Sequence, residues 1–145
     1  MSYYRKDGET TMRILKGPKQ YVALEKENLR NRIKKLRWTP KLAIVQVGNN
    51  EASNRYVRNK VKDCEEVGIA TDVYYYPENT TESELNDELT YLQEYYDEIV
   101  VQSPLPKHIR PLTAPAALKL VGDYYNLENV VMAAETKEER ENATK

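Results

Sequence analysis

Hydrophobic residues recur along the chain at two spacings, one typical of helices and one of buried strands. Residues 18–36 carry apolar side chains at helical spacing, with charged residues between them. Residues 41–47 form a near-continuous apolar run, which indicates a strand buried on both faces of a parallel sheet. A second helical segment begins near Asn50 and ends at Gly68, since glycine commonly lies just past the end of a helix.

The alternation of strand and helix continues beyond Gly68. Residues 69–76 are rich in β-branched and aromatic residues and predict a strand. Thr81 and Glu84 have the spacing of a capping box, so a helix is expected to begin there. Residues 99–101 predict a third short strand. This order favours parallel pairing, and we expect a three-layer αβα domain with a short, mainly parallel sheet.

The two ends of the chain are expected to differ from this central part. Residues 1–13 are polar and predict a flexible N-terminus, and residues 135–145 predict a charged tail or a frayed helix. Between them we expect one folded domain over residues 14–134. Its last elements are predicted as a helix over residues 113–125 and a short strand over residues 130–133.

Composition narrows the function classes. The formal net charge of the 145 residues is −1, which gives no global field to attract nucleic acid or an anionic membrane. The chain has a single cysteine, Cys64, which excludes an internal disulfide and a cysteine-based zinc cluster. His108 is the only histidine, so we expect no metal site. These features favour a cytoplasmic protein.

One lysine of the second helix points inward. At about 100° per residue, Val57, Val61 and Cys64 share an apolar face. Beside that stripe lie three polar residues one or two turns apart: Ser53, Tyr56 and Lys60. Burying an ammonium is unfavourable unless it is paired, but a lysine at the core edge can also extend its charge to water. Helix geometry alone leaves both interpretations open.

A second candidate patch follows the third strand. Gln102 is followed by Pro104, Leu105 and Pro106, and the prolines exclude regular structure there. Open parallel sheets bind ligands at the carboxyl ends of their strands. The helix that carries Lys60 also begins at that edge, so the two patches are expected to converge.

Three segments in order carry a resemblance to a known family. Residues 53–60 contain the pattern Ser-x-x-Tyr-Val-x-x-Lys, residues 77–85 read Pro-Glu-Asn-Thr-Thr-Glu-Ser-Glu-Leu, and residues 101–109 read Val-Gln-Ser-Pro-Leu-Pro-Lys-His-Ile. These segments resemble the methylenetetrahydrofolate dehydrogenase/cyclohydrolase family, with Ser103 in place of the family's leucine. The domain at residues 14–134 is therefore similar to the family's catalytic, folate-binding domain.

The resemblance implies roles for the matching residues. Lys60 would handle proton transfer at the one-carbon bridge of tetrahydrofolate, with Tyr56 and Gln102 positioning the lysine and the substrate. Ser53, Tyr56 and the loop of Pro104, Leu105 and Pro106 would bind the substrate. A partly desolvated lysine suits this role, because burial lowers its pKa towards neutrality.

The chain also departs from the family pattern. The family's Asp-Val-Asp-Gly motif, which supplies an aspartate to the pterin, is absent. Either that segment is deleted, and residues 110–115 match a later helix start, or Asp123 is its remnant. The family's Rossmann domain for NAD or NADP cannot fit in the remaining residues, and no glycine-rich phosphate turn occurs. Residues 130–134 are a candidate stump of that domain's first strand.

Two functions remain open from the sequence. The first is a folate-binding protein with at most methenyltetrahydrofolate cyclohydrolase activity, without a bound cofactor. The second is a non-catalytic family descendant that acts as a protein-interaction or regulatory module, with a protein partner or a second copy of itself. Dehydrogenase activity is not expected from the chain alone, because hydride transfer needs a nicotinamide held against the substrate.

Overall fold

The computed structural model describes residues 2–5, 12–15, 18–102, 104–110, 119–120 and 125–143. Its elements follow in the order β1 (Ser2–Arg5), β2 (Met12–Leu15), α1 (Pro18–Lys34), β3 (Lys41–Val47), α2 (Glu51–Val67), β4 (Ala70–Tyr76), α3 (Glu82–Leu92), β5 (Glu98–Val101), β6 (Lys119–Leu120) and α4 (Tyr125–Ala143).

The main sheet is parallel, as the sequence predicts. Its strand order is β4-β3-β5-β6, and each neighbouring pair runs in the same direction. The first strand predicted, β3, is central and lies fully buried after Lys41. In the register, Val45 lies beside Tyr74 of β4 and Val101 of β5. The carboxyl ends of β3 and β5 therefore meet at one edge of the sheet.

Helices cover both faces of this sheet. On one face, α1, α2 and α4 pack against Leu42, Ile44 and Val100. On the other face, α3 packs against Ala43, Val45 and the neighbouring β5 residues. Because successive strand residues point to opposite faces, the apolar run at 41–47 supplies both core layers. The predicted three-layer αβα architecture is confirmed.

Local sequence signals set both ends of α2. The Asn50 side chain accepts a hydrogen bond from the Ser53 backbone N–H at 3.0 Å and caps the helix start. Gly68 ends the helix with a positive φ of 99°, a conformation that favours glycine. The backbone N–H groups of Gly68 and Ile69 both donate to the Cys64 carbonyl. The predicted start and end of this helix are confirmed.

The capping box of α3 is also confirmed. The Glu84 backbone N–H donates to Thr81 Oγ1 at 3.1 Å, and the Thr81 N–H donates to Glu84 Oε1 at 3.3 Å. The inner face of the helix buries Leu85, Leu89 and Leu92. The strands that flank this helix, β4 and β5, lie within one residue of their predicted bounds.

The predictions for the C-terminal third are wrong in two places. Residues 130–133 belong to helix α4 and form neither a strand nor a stump of one. The buried apolar residues of this segment are at positions 127, 130, 131 and 134, and this spacing is typical of a helix. Residues 119–120 form strand β6 within the range predicted as a helix, whereas residues 111–118 lie outside the described part.

Both ends of the chain carry secondary structure. Strand β1 and the start of β2 lie within residues 1–13, the segment expected to be flexible, and the two strands pair antiparallel; Tyr3, Tyr4 and Ile14 favour extended backbone. At the other end, α4 continues through the expected boundary at 134–135 as far as Ala143. Arg32 of α1 donates to Glu128 and Glu135 of α4, which ties the last helix to the first.

Candidate functional site

The structure brings Lys60 and Gln102 into direct contact. Lys60 Nζ donates a hydrogen bond of 2.9 Å to Gln102 Oε1, although 42 residues separate the two along the chain. Only 9% of Lys60 and 3% of Gln102 is exposed to solvent. The lysine is therefore an inward residue and does not extend its charge to bulk water.

Lys60 and Gln102 are positioned by different elements of the fold. Lys60 lies on α2, whose Val57, Cys64 and Val67 pack into the core. Gln102 follows β5, and its backbone N–H donates to the Val45 carbonyl at 2.8 Å. This bond extends the parallel ladder by one residue beyond β5. The Gln102 side chain consequently lies on the face of the sheet that α2 covers.

A second buried amide adjoins this pair, and the motif analysis did not single it out. Gln46 is 2% exposed and occupies the β3 position next in register to Gln102. Its Nε2 donates to Asn54 Oδ1 at 2.7 Å and to the Gly48 carbonyl at 3.3 Å. The sequence does contain a signal for Gln46, because it is a single polar residue inside the apolar run at 41–47. Buried amides usually form specific hydrogen bonds. Gln46 links the end of β3 to the first turn of α2.

Ser53 and Tyr56 lie on α2 but in different surroundings. Ser53 is buried, two turns before Lys60. Tyr56 lies one turn before Lys60 and is 53% exposed, so most of its ring faces solvent. The three predicted helix residues thus follow one another along α2, with Ser53 the most buried and Tyr56 the most exposed.

The proline loop is fixed on the opposite side of the sheet. Pro104 is exposed, Pro106 is half-buried, and Leu105 packs with the core layer beneath α3. His108 Nε2 lies 2.7 Å from the Thr80 carbonyl, and Ile109 is buried. His108 thereby tethers the loop to the residues that precede α3. The only histidine of the chain has a structural role in this arrangement.

The remaining candidate groups do not add a reactive centre. The pKa of the Cys64 thiol is raised to about 12, mainly by burial and also by the Asp63 charge, while the Lys60 charge opposes the shift. Cys64 therefore stays a protonated core thiol. Within the described residues, no group of three or more histidine, cysteine, aspartate or glutamate side chains is placed to hold a metal ion. Asp123 lies outside the described part of the chain.

An open cleft of about 660 Å³ lies near the same sheet edge, but it is separate from Lys60 and Gln102. Its wall includes Asn54, Arg58, Tyr75 and Glu78. Asn54 and Arg58 lie more than about 100° around α2 from Lys60, at 3.6 residues per turn. The cleft and the buried pair therefore face different sides of the helix.

Comparison with known proteins identifies the family. The family described as "Tetrahydrofolate dehydrogenase/cyclohydrolase, catalytic domain" matches residues 16–121, which is well over half of the chain. The chain belongs to this family. The match covers all three motif segments and both residues of the buried pair.

Similar proteins are bifunctional enzymes of the same family. The chain is 43% identical over 94 residues to "Bifunctional protein FolD" of Lysinibacillus sphaericus, covering 63% of this chain and 33% of that protein. It is 44% identical over 84 residues to the protein of the same name from Bdellovibrio bacteriovorus, covering 57% and 28%. The chain thus spans about a third of the length of the curated relatives it matches.

Solved structures of relatives agree with the fold. The bifunctional FolD enzyme of Campylobacter jejuni superposes with a TM-score of 0.60 at 39% identity, covering 62% of this chain and 34% of that one. A methylenetetrahydrofolate dehydrogenase-cyclohydrolase of Trypanosoma brucei, solved with NADP and an inhibitor, superposes with a TM-score of 0.64 at 26% identity, covering 76% and 39%. The described residues contain no helix long and apolar enough to cross a membrane.

Proposed function

We propose that this chain is a tetrahydrofolate-binding domain in which Lys60 transfers protons at the one-carbon bridge of the substrate. The observation that carries the proposal is the buried hydrogen bond between Lys60 Nζ and Gln102 Oε1. Burying an ammonium costs free energy, and buried ionisable groups concentrate at functional sites. Family membership supplies the substrate class.

The reaction that these residues suit best is hydrolysis of methenyltetrahydrofolate. Water adds to the bridging carbon, a carbon–oxygen bond forms, one carbon–nitrogen bond breaks, and one proton is released overall. Lys60 in its amine form can accept the proton of the attacking water, and as an ammonium it can return a proton to the departing nitrogen. The Gln102 carbonyl orients Nζ for both transfers, because it accepts one of the lysine protons at a fixed distance.

Tyr56 is proposed to contact the flat ring system of the substrate. Its ring is 53% exposed and lies one turn before Lys60 on α2. Aromatic rings stack on planar heterocycles, and a phenol adds a hydrogen-bonding group. Ser53, Pro104 and Pro106 are proposed as further substrate-binding residues from the family motifs, whereas Leu105 contributes through packing of the loop.

The described residues do not fit a dinucleotide pyrophosphate. Such a group needs a glycine-rich turn before a helix whose first turn is free of negative charge. Helix α2 begins with Glu51, and α3 carries Glu82 and Glu84 in its first turn. These two helix starts therefore repel a phosphate. We expect any NAD(P)-dependent step to require residues other than those of this chain.

Calorimetry with formyltetrahydrofolate tests the binding part of the proposal. We expect saturable binding that Lys60→Ala weakens by at least about tenfold, which corresponds to about 1.4 kcal/mol. Lys62→Ala is the matched control, because it removes an exposed lysine two positions further along the same helix. No binding at millimolar ligand, or equal binding by both variants, would instead favour a protein-interaction role for the chain.

A further inference from the structure

A second cavity lies at the opposite edge of the sheet from Lys60. Its volume is about 300 Å³, within the range of small-molecule sites. It lies between the connection from α1 to β3, the connection from α3 to β5, and helix α4. The residues used below are Trp38, Lys41, Gln93, Glu94, Asp97 and Lys137. Since β3 rises about 3.3 Å per residue, this edge is roughly 16 Å from Gln46.

Two buried donors in this wall lack an acceptor among the described residues. Trp38 Nε1 and Gln93 Nε2 are inaccessible at their own atoms, and neither donates to a described group. Indole nitrogen is a donor only, and the amide nitrogen of glutamine is likewise a donor. Buried N–H groups are nearly always satisfied, so these two indicate that an oxygen acceptor belongs next to them. They also disfavour a metal cation at the same place.

Positive charge lies over the Trp38 ring. Lys137 Nζ is 5.0 Å from the centroid of that ring. Lys137 forms no ion pair with a carboxylate in the described part of the chain. Arg37 also lies over this ring at 5.3 Å, but Glu138 accepts from its backbone N–H and lies 3.7 Å from its guanidinium. Lys137 is therefore the cation best placed to meet a ligand.

The wall also contains two acidic residues, Asp97 and Glu94. Asp97 Oδ2 accepts a hydrogen bond from the Lys41 backbone N–H at 2.8 Å, which engages that carboxylate within the fold. Glu94 is exposed at the rim. The wall contains two lysines and two carboxylates, so its net charge is zero. Ligand recognition therefore depends on the N–H donors of Trp38 and Gln93 and on the position of Lys137. We propose that this cavity binds a small oxyanion, a carboxylate or phosphate group, through Trp38, Gln93 and Lys137.

The only tryptophan of the chain makes the proposal directly observable. Trp38 gives the single indole N–H signal in a ¹⁵N–¹H correlation spectrum of the full chain. Sodium phosphate and sodium succinate are titrated separately, with sodium chloride at matched ionic strength. We expect a saturable shift of the indole signal with phosphate, with succinate or with both, at millimolar concentration or below, and none with chloride. The more effective salt tells which oxyanion the cavity prefers.

Two variants test the assigned contacts. Lys137→Gln should weaken the binding at least tenfold, whereas the matched Lys62→Gln on α2 should leave it unchanged. Gln93→Met should weaken it several-fold, and an otherwise unchanged spectrum confirms that each variant is folded. The proposal is overturned if the indole signal does not shift with either anion, or if it shifts equally with chloride. It is also overturned if the signal of Lys137→Gln shifts with the same affinity as that of the wild type. Because Lys60 lies at the other edge, none of these results depends on the proposed folate site.

Discussion

At the scale of single residues, the buried pair of Lys60 and Gln102 is the candidate reactive centre. The lysine loses most of its hydration in the fold and donates to the Gln102 amide oxygen. The sequence could indicate that Lys60 points inward, because helical spacing places it beside Val57 and Cys64. The expected convergence of the two patches and the family resemblance predicted Gln102 as its partner, and the 2.9 Å bond confirms that contact, although Gln102 is 42 positions away.

A double-mutant cycle measures this contact. Lys60→Met leaves the Gln102 carbonyl without its lysine donor, and Gln102→Leu leaves the ammonium without its amide. The double variant removes both partners. We expect a coupling free energy of about 1.5–3 kcal/mol from urea unfolding, the range for hydrogen bonds to charged groups. A coupling within about 0.3 kcal/mol of zero would mean that the two side chains act independently.

The Cys64 thiol gives a second test at this scale. Burial raises its pKa to about 12, so at pH 8 only about one molecule in ten thousand carries the reactive thiolate. A chromogenic disulfide reagent should therefore react with the native protein at least about a hundredfold more slowly than with the urea-unfolded chain. Equal rates in the two states would show that the α2 face carrying Cys64 is open to solvent.

At the scale of elements, α2 is the part that the sequence determined most completely. Asn50 and Gly68 define its ends through a side-chain cap and a positive φ, which are local effects. Asn50→Ala should lower the free energy of unfolding by about 1 kcal/mol, the usual contribution of such a cap. Asn79→Ala, at an exposed turn position, serves as the matched control. Equal losses in the two variants would contradict the capping role.

The elements that sequence missed lack such local signals. Val130, Val131 and Met132 favour a strand by propensity, and a short apolar run cannot be distinguished from a buried helix by its period. The wider spacing of Leu127, Val130, Val131 and Ala134 is helical, and tertiary packing against the sheet determines the outcome. Gln46 was missed because buried polar contacts depend on residues brought together by the fold.

At the scale of the whole molecule, the chain matches about a third of the length of its relatives. Helices α2 and α3, which follow strands of the main sheet, carry acidic residues in their first turns, and these do not suit a dinucleotide phosphate. We therefore expect no formation of reduced cofactor when the chain is mixed with methylenetetrahydrofolate and NAD or NADP. Absorbance growth from reduced cofactor that disappears in Lys60→Ala would contradict this expectation.

Folate affinity is expected to be modest. The Asp-Val-Asp-Gly motif that is expected to anchor the pterin is absent from the sequence, and a charge-assisted hydrogen bond contributes about 1.5–3 kcal/mol. Its loss corresponds to roughly one to two decades in the dissociation constant. Turnover of methenyltetrahydrofolate should accordingly be slow, although it should still depend on the buried lysine.

The most direct test of the account is the hydrolysis rate of methenyltetrahydrofolate, followed by absorbance against the uncatalysed background. Wild-type chain, Lys60→Ala and the matched Lys62→Ala are compared at equal concentration and pH. We predict a rate above background that Lys62→Ala retains and Lys60→Ala loses. A rate that Lys60→Ala retains, or no rate above background in the wild type, would contradict the assignment of Lys60 as the proton-transfer residue of this chain.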